Sequence, residues 1–322
     1  MKDKADFQEA LQRLKEQKRD VYMYCGPVER AGYNKICDAI SEAVEENRKS
    51  EKVVLFLCTY GGDPNAGYRI ARAMIHHYGS ENFEIAVPTA CKSAGTLICI
   101  GANKLLFFNS GELGPLDIQI QKQDEIFQSN SGLDILRGMT YLQDGALTAF
   151  KRYLVDINKM GGISTKIASE IAGNLVKGLY TPIFAQVDPL KLGEMNAALQ
   201  IANEYGSRLN EKSKSLKEHA LNKLIHTYPA HSFVVDRSEA KTLFERVESP
   251  DENVLAIGSF ATRMFKFASA ASESFVLDLT NTFAKKTEDT SDEQSGDAAS
   301  TVPPIEGNDS QDRASGDLTP DD

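Results

Sequence analysis

Residues 53–117 read VVLFLCTYGGDPNAGYRIARAMIHHYGSENFEIAVPTACKSAGTLICIGANKLLFFNSGELGPLD and decide the predicted fold. Three short apolar runs, at 53–57, 83–88 and 105–108, are rich in branched side chains and too short for helices, which is typical of buried strands. Segments with helical spacing of apolar residues separate these runs. Because strands and helices alternate, the sequence predicts an α/β fold built on a parallel sheet.

Two of the predicted strands run into glycine-containing turns that precede helices. The first turn carries Gly61 and Gly62, and the second carries Ser93. Ser93 is therefore expected at a helix N-terminus, where unpaired amides and the helix dipole favour negative charge. The amide of Ala94 could face the same point as that of Gly62, giving two donors for an oxyanion. These are the parts needed for acyl transfer, although both turns could simply pack helices on a sheet.

Three segments, TYGGDPNAGY (59–68), TACKSAGT (89–96) and GELGPLDIQ (111–119), resemble the motifs of the Clp protease/crotonase superfamily. The likeness is greatest to its serine dehydrogenase proteinase family, akin to signal peptide peptidase A, and covers roughly residues 20–240. Tyr60 and Ile118 stand where that family usually has proline. The resemblance implies a Clp/crotonase-like stacked βα spiral core, Ser93 as nucleophile, and Gly62 and Ala94 as oxyanion-hole donors.

A serine hydroxyl is a weak nucleophile and needs a base within hydrogen-bond reach. Clp proteases have a histidine downstream of the serine, in an H-Q-P segment, and the corresponding position here is Leu113. The resemblance therefore implies the Ser-Lys dyad of the signal-peptide-peptidase branch, with Lys151, Lys166 and Lys177 as candidates. Lys177 is preferred because it precedes a turn into the next helical block, as the dyad lysine does in the related peptidases.

A catalytic triad is the alternative chemistry for the same serine. His226 lies in an H-x-Y-P segment and could serve as base with Asp236 behind it. Each residue also has a structural interpretation. His226 could pin a loop, and Asp236, three positions before Glu239, has the spacing of a helix N-cap.

Composition limits the class of protein. Of 322 residues, 41% are hydrophobic and 25% charged, as in ordinary globular proteins, and no apolar run is long enough for an integral membrane segment. The N-terminus does not resemble a secretory signal. Five cysteines without C-x-x-C spacing favour free thiols in the cytoplasm over a metal site. No dinucleotide motif indicates a cofactor, and no basic stripe indicates nucleic-acid binding.

The predicted domain organisation has four parts. Residues 1–20 form an N-terminal helix, 21–246 the peptidase domain, and 247–286 a C-terminal amphipathic helix. This helix could cover the body of the protein or lie at an interface, and oligomer contact is favoured. In the peptidase domain, the portion after residue 117 is mainly helical. Residues 287–322 contain eleven acidic residues and one arginine, which accounts for the whole net charge of −10. This composition predicts a disordered acidic tail.

The sequence thus predicts a cytoplasmic serine endopeptidase that acts on peptides or proteins and forms a homo-oligomer. Two alternatives stay open. A crotonase-type enzyme would use the same pair of amides on an acyl-CoA enolate, without a serine nucleophile. A non-catalytic oligomeric scaffold or sensing module would keep the fold alone.

Overall fold

The computed structural model describes residues 2–116, 119–121 and 129–282. In chain order the helices are α1 (Lys2–Glu16), α2 (Arg30–Glu45), α3 (Pro64–Tyr78), α4 (Ala94–Ile100), α5 (Gly132–Gly161), α6 (Thr165–Phe184), α7 (Pro189–Ser213), α8 (Ala220–Asn222), α9 (Arg237–Leu243) and α10 (Glu252–Ala271). The strands are β1 (Arg19–Cys25), β2 (Lys52–Cys58), β3 (Phe83–Val87), β4 (Ala90–Cys91), β5 (Lys104–Phe107), β6 (Glu112–Leu113), β7 (Gln119–Gln121), β8 (Ser129–Ser131), β9 (Val247–Glu248) and β10 (Phe275–Asp278).

A mostly parallel sheet lies at the centre of the fold. Its strand order is β10-β1-β2-β3-β5-β9, and only the β10–β1 pair is antiparallel. The central strands are buried almost throughout because helices cover both faces, as expected for parallel strands. Helices α2, α3 and α4 contribute to one core, and α1 and α10 to a second core on the other face.

A smaller ladder continues beyond the carboxyl end of β2. Thr59 pairs with Cys91 in β4, β4 pairs in parallel with β6, and Leu113 in β6 pairs with Val235. On the other side of the chain, Gly62 pairs with Val28. The ladder brings the two glycine-containing turns side by side, and this placement forms the candidate site.

The predicted α/β class is confirmed, with repeating strand–helix units followed by a mainly helical portion. The single amphipathic helix predicted over 247–286 is wrong. Helix α10 ends at Ala271, Ser272 takes a left-handed conformation, and residues 275–278 form the edge strand β10. Helix α10 packs against α1 and the central sheet, which covers its Ile257, Ala261 and Phe265 side and leaves Phe267 exposed. The predicted acidic tail over 287–322 lies outside the described residues.

No helix in the described ranges combines the length and apolar character needed to cross a bilayer.

Candidate active site

Ser93 lies at the junction between β4 and α4 in an unusual backbone conformation. Its φ is 52° and its ψ is −114°. Lys214, His219 and Ser272 also have positive φ, but their ψ values lie between −1° and 40°, in the left-handed helical region. The conformation of Ser93 is rarer for an L-residue and costs about 1–3 kcal/mol. Such strain at a sharp strand-to-helix turn is typical of an exposed nucleophile.

Hydrogen bonds on both sides of Ser93 hold this turn in place. The amide of Lys92 donates to the carbonyl of Thr59 (2.9 Å), and the amide of Gly95 donates to the carbonyl of Lys92 (2.9 Å). The buried Thr96 hydroxyl bonds the carbonyl of Gly114 at 2.8 Å. The fold thus fixes the backbone before and after the serine, which is what a strained residue requires.

The Gly61–Gly62 turn lies directly against the serine side chain. A Cβ on Gly61 would fall 2.8 Å from Cβ and 3.2 Å from Oγ of Ser93. The two glycines have φ of 116° and 144°, which side chains disfavour. Thr59 Oγ1 accepts from the amide of Gly61 at 2.9 Å and so fixes the turn. Glycine is therefore required here both by conformation and by the close approach of Ser93.

Two backbone amides border this point. Val28 donates to the carbonyl of Gly61 (2.8 Å) and accepts from the amide of Asp63 (2.7 Å), a parallel pattern that leaves the N–H of Gly62 facing away from Val28. Ala94 is the first residue of α4, where an amide has no intrahelical acceptor. Within the described ranges neither amide donates to another backbone carbonyl.

The three candidate lysines lie on the helical portion and are exposed. Lys151 is on α5, and Lys166 and Lys177 are on α6. Helix α6 makes its main contacts with α5. The turn expected after Lys177 is wrong, because α6 continues through residues 178–182 to Phe184.

The two residues of the alternative triad lie on a segment that borders the serine turn. His226 is exposed on a π-helical turn, Lys223–Thr227, and Asp236 caps α9 by accepting from the amide of Glu239 at 2.8 Å. The predicted N-cap is therefore present. The carboxylate of Glu239 does not return to the cap but accepts from Tyr228 Oη (2.7 Å) and Lys223 Nζ.

Lys92, next to the nucleophile, connects this segment to the site. Its ammonium forms an ion pair with Glu112 (3.2 Å) and donates to the carbonyl of Ser232 (3.4 Å). The neighbouring His231 is half-buried and was not singled out from sequence. The sequence around His231 contains no motif that points to the site, and only the fold shows that this segment lies beside Lys92.

Buried thiols lie beneath the turn. Sγ of Cys91 and Sγ of Cys99 are 3.7 Å apart, and burial raises the pKa of the Cys91 thiol well above its usual value. All five cysteines are free. The described residues contain no cluster of three or more potential metal ligands.

Comparison with known proteins gives limited likenesses. No protein-family model and no curated protein matches the chain. Among solved structures, it is similar to a mutant of the 1510-N membrane-bound stomatin-specific protease, with a TM-score of 0.29 and 16% identity over 47% of this chain and 67% of the other. A lysine-to-alanine mutant of that protease, in complex with a substrate peptide, matches with a TM-score of 0.28 and 17% identity over 47% of this chain and 63% of the other. Likenesses at these scores do not establish a common activity.

Proposed function

We propose that the chain is a serine peptidase in which Ser93 is the nucleophile and the amides of Gly62 and Ala94 form the oxyanion hole. The observation that carries this proposal is the strained backbone of Ser93 at the start of α4, pressed against a double-glycine turn. A fold keeps such strain where a side chain must be presented in one geometry. The motif resemblance at 59–68, 89–96 and 111–119 supports the same assignment.

The chemistry is acyl transfer to Ser93. As Oγ attacks the scissile carbonyl, a base takes the hydroxyl proton, and negative charge develops on the carbonyl oxygen between the two amides. The base then gives the proton to the leaving amine, and water hydrolyses the acyl-enzyme by the reverse steps. No resident metal or organic cofactor is part of this proposal.

We propose Lys177 as the base. An exposed ammonium is a poor base at neutral pH, so Lys177 must lose water when the enzyme is active. Helix α6 also carries a row of exposed aliphatic side chains: Ile167, Ile171, Leu175, Leu179 and Ile183. Contact of this row with a second copy would join copies of the chain, which supports a homo-oligomer. At about 100° per residue the row is centred about 160° around the helix from Lys177, so the contact that desolvates Lys177 must come from another surface. The free cysteines suit a reducing compartment such as the cytoplasm.

The triad Ser93–His226–Asp236 is the second candidate mechanism. The observation in its favour is that the segment carrying both residues borders the serine turn through Lys92 and Ser232. Against it, Asp236 already serves as the N-cap of α9.

Ser93→Ala tests the function. We expect loss of peptide and casein hydrolysis by about three orders of magnitude or more, with unchanged folding by circular dichroism, because only the nucleophile is removed. Thr140→Ala, on the exposed surface of α5, is the matched control and should retain full activity. Hydrolysis by Ser93→Ala at the wild-type rate would rule out the mechanism. Turnover of an acyl-CoA thioester instead of peptides would favour the crotonase-type enzyme, and no turnover of either a non-catalytic module.

A second set of variants distinguishes the two bases. Lys177→Ala should remove nearly all turnover, and Lys177→Arg should be almost as damaging because a guanidinium does not deprotonate near neutral pH. Lys166→Ala, on the same helix, is the control. If His226→Ala removes turnover while Lys177→Ala retains it, the dyad assignment is wrong and the triad replaces it.

A further inference from the structure

A cavity of about 300 Å³ lies next to the serine turn and has no part in the chemistry described so far. The residues that line it come from three elements: Gly26 and Pro27 after β1, Tyr60 and Gly61 after β2, and Phe265, Ser269 and Ser272 on and after α10. Gly61 is shared by the cavity and the candidate site. Since a Cβ on Gly61 would lie 3.2 Å from Oγ of Ser93, the cavity borders the nucleophile.

Two aromatic rings form the wall of this cavity. The rings of Tyr60 and Phe265 have centroids 5.1 Å apart and are tilted by 49°. Tyr60 is 65% exposed, so it leans on α10 from the rim. This contact gives a role to the residue that stands where related sequences usually have proline. A proline at this position would leave Phe265 without its partner.

The lining defines the chemistry of the occupant. None of the described residues that line the cavity carries a charge, and the polar side-chain groups are the hydroxyls of Tyr60, Ser269 and Ser272. An ionised side chain would lose its hydration there without gaining a partner, which is costly. An apolar side chain would bury its surface against two rings, which is favourable. The volume is at the lower end for ligand pockets and suits one large side chain rather than a whole ligand.

We infer that this cavity is the specificity pocket of the site and takes a large apolar side chain, such as leucine or phenylalanine, of a peptide whose carbonyl lies at Ser93. The inference rests on the proposed peptidase function for the position of the carbonyl. In this arrangement α10 covers the sheet and also lines the pocket that selects the substrate side chain.

Matched peptides that differ only in the residue before the scissile bond test the pocket in the full chain. We expect kcat/KM for leucine to exceed that for glycine or glutamate by about tenfold or more, since a filled apolar pocket discriminates on that scale. Ser269→Phe should fill the cavity and remove this preference. Ala270→Phe, exposed on the next position of α10, is the control and should keep the preference. Tyr60→Ala removes one wall at the exposed rim and should also lower the preference.

Binding to the Ser93→Ala variant provides a readout without catalysis. Fluorescently labelled leucine and glycine peptides are compared by anisotropy, with and without Ser269→Phe. Tighter binding of the leucine peptide, lost on Ser269→Phe, supports the pocket even if no peptide is hydrolysed, in which case the peptidase function alone fails. Three outcomes would each overturn the pocket assignment. They are hydrolysis without preference for leucine, equal effects of Ser269→Phe and Ala270→Phe, and binding of a medium-chain fatty acid but no peptide. Absence of both hydrolysis and peptide binding would overturn both proposals.

Discussion

The strained backbone of Ser93 is held in place by the hydrogen bonds of its neighbours. Lys92 is bonded to Thr59 on one side, and Gly95 is bonded back to Lys92 on the other. Thr59 also holds Gly61 through its hydroxyl. The two turns are therefore coupled through one buried threonine, and a change in the glycine turn is expected to be felt at the serine.

Gly61→Ala tests this coupling at a single residue. The new methyl would meet Ser93 Cβ at 2.8 Å, closer than nonbonded carbons approach, and the backbone would hold an unfavourable φ of 116°. We expect kcat to fall by about a hundredfold or more, since displacement of a nucleophile by a fraction of an ångström to 1 Å has effects of that size. The measurement is steady-state peptide hydrolysis.

Gly173→Ala is the control for this change. Gly173 is inside α6, and a Cβ there would meet nothing within 4 Å. Alanine should therefore stabilise the helix by about 0.5–1 kcal/mol without loss of activity. If Gly61→Ala retains full turnover with an unchanged melting temperature, the close contact between the glycine turn and Ser93 has no functional role.

Among the elements, α9 and the π-helical turn before it are joined by Glu239. Its carboxylate accepts from Lys223 Nζ and Tyr228 Oη, and these two hydrogen bonds hold the pKa of Glu239 below its usual value of 4.5. Tyr228 in turn packs on Phe233, with ring centroids 4.7 Å apart. The segment that carries His226 and His231 is thus anchored to α9 through one ionised group.

Glu239→Gln is expected to destabilise the fold in a pH-dependent way. A carboxyl with a lowered folded-state pKa contributes its full stabilisation above its unfolded value of 4.5, and loses it as the pH falls through the folded value. The difference in melting temperature between wild type and variant should therefore be largest near neutral pH. It should shrink and disappear as the pH falls below 4.5. Glu245→Gln, exposed just after α9, serves as the control. A difference that grows on acidification would show that this ion pair does not act as described.

An element can be predicted from the sequence when the residues that determine it lie close together along the chain. The strand–turn–helix units around Gly61 and Ser93 were predicted because apolar runs, glycines and small residues lie within a few positions of each other. Strand β10 was mistaken for helix because Phe275 and Leu279 happen to continue the helical spacing of α10. Strands β4 and β6 are two residues long and exist only through pairing with distant residues. The same limit applies to the base, which depends on contacts between segments far apart in sequence.

At the scale of the whole molecule, the helical portion presents an apolar surface that the described part of the chain leaves partly exposed. The side chains of Ile167, Ile171, Leu175, Leu179 and Ile183 on α6 are between 39% and 54% exposed. They recur every four residues, and rows with that spacing pack against each other in helix pairs. Large exposed apolar patches on globular proteins usually mark interaction sites. A second copy of the chain that packs its own row against this one would bury both rows.

The double variant Leu175→Glu with Leu179→Glu tests whether this row joins copies of the chain. We expect wild type to elute as an oligomer in size-exclusion chromatography with light scattering, and the variant as a monomer, because carboxylates cannot be buried in an apolar contact without large cost. Melting of the monomer should remain cooperative, since both side chains are already half-exposed. Asn174→Glu, exposed on the same helix outside the row, should leave the oligomer intact. If peptide hydrolysis falls together with the oligomer, assembly is needed for activity, whereas a fully active monomer would show that the base acts within one chain.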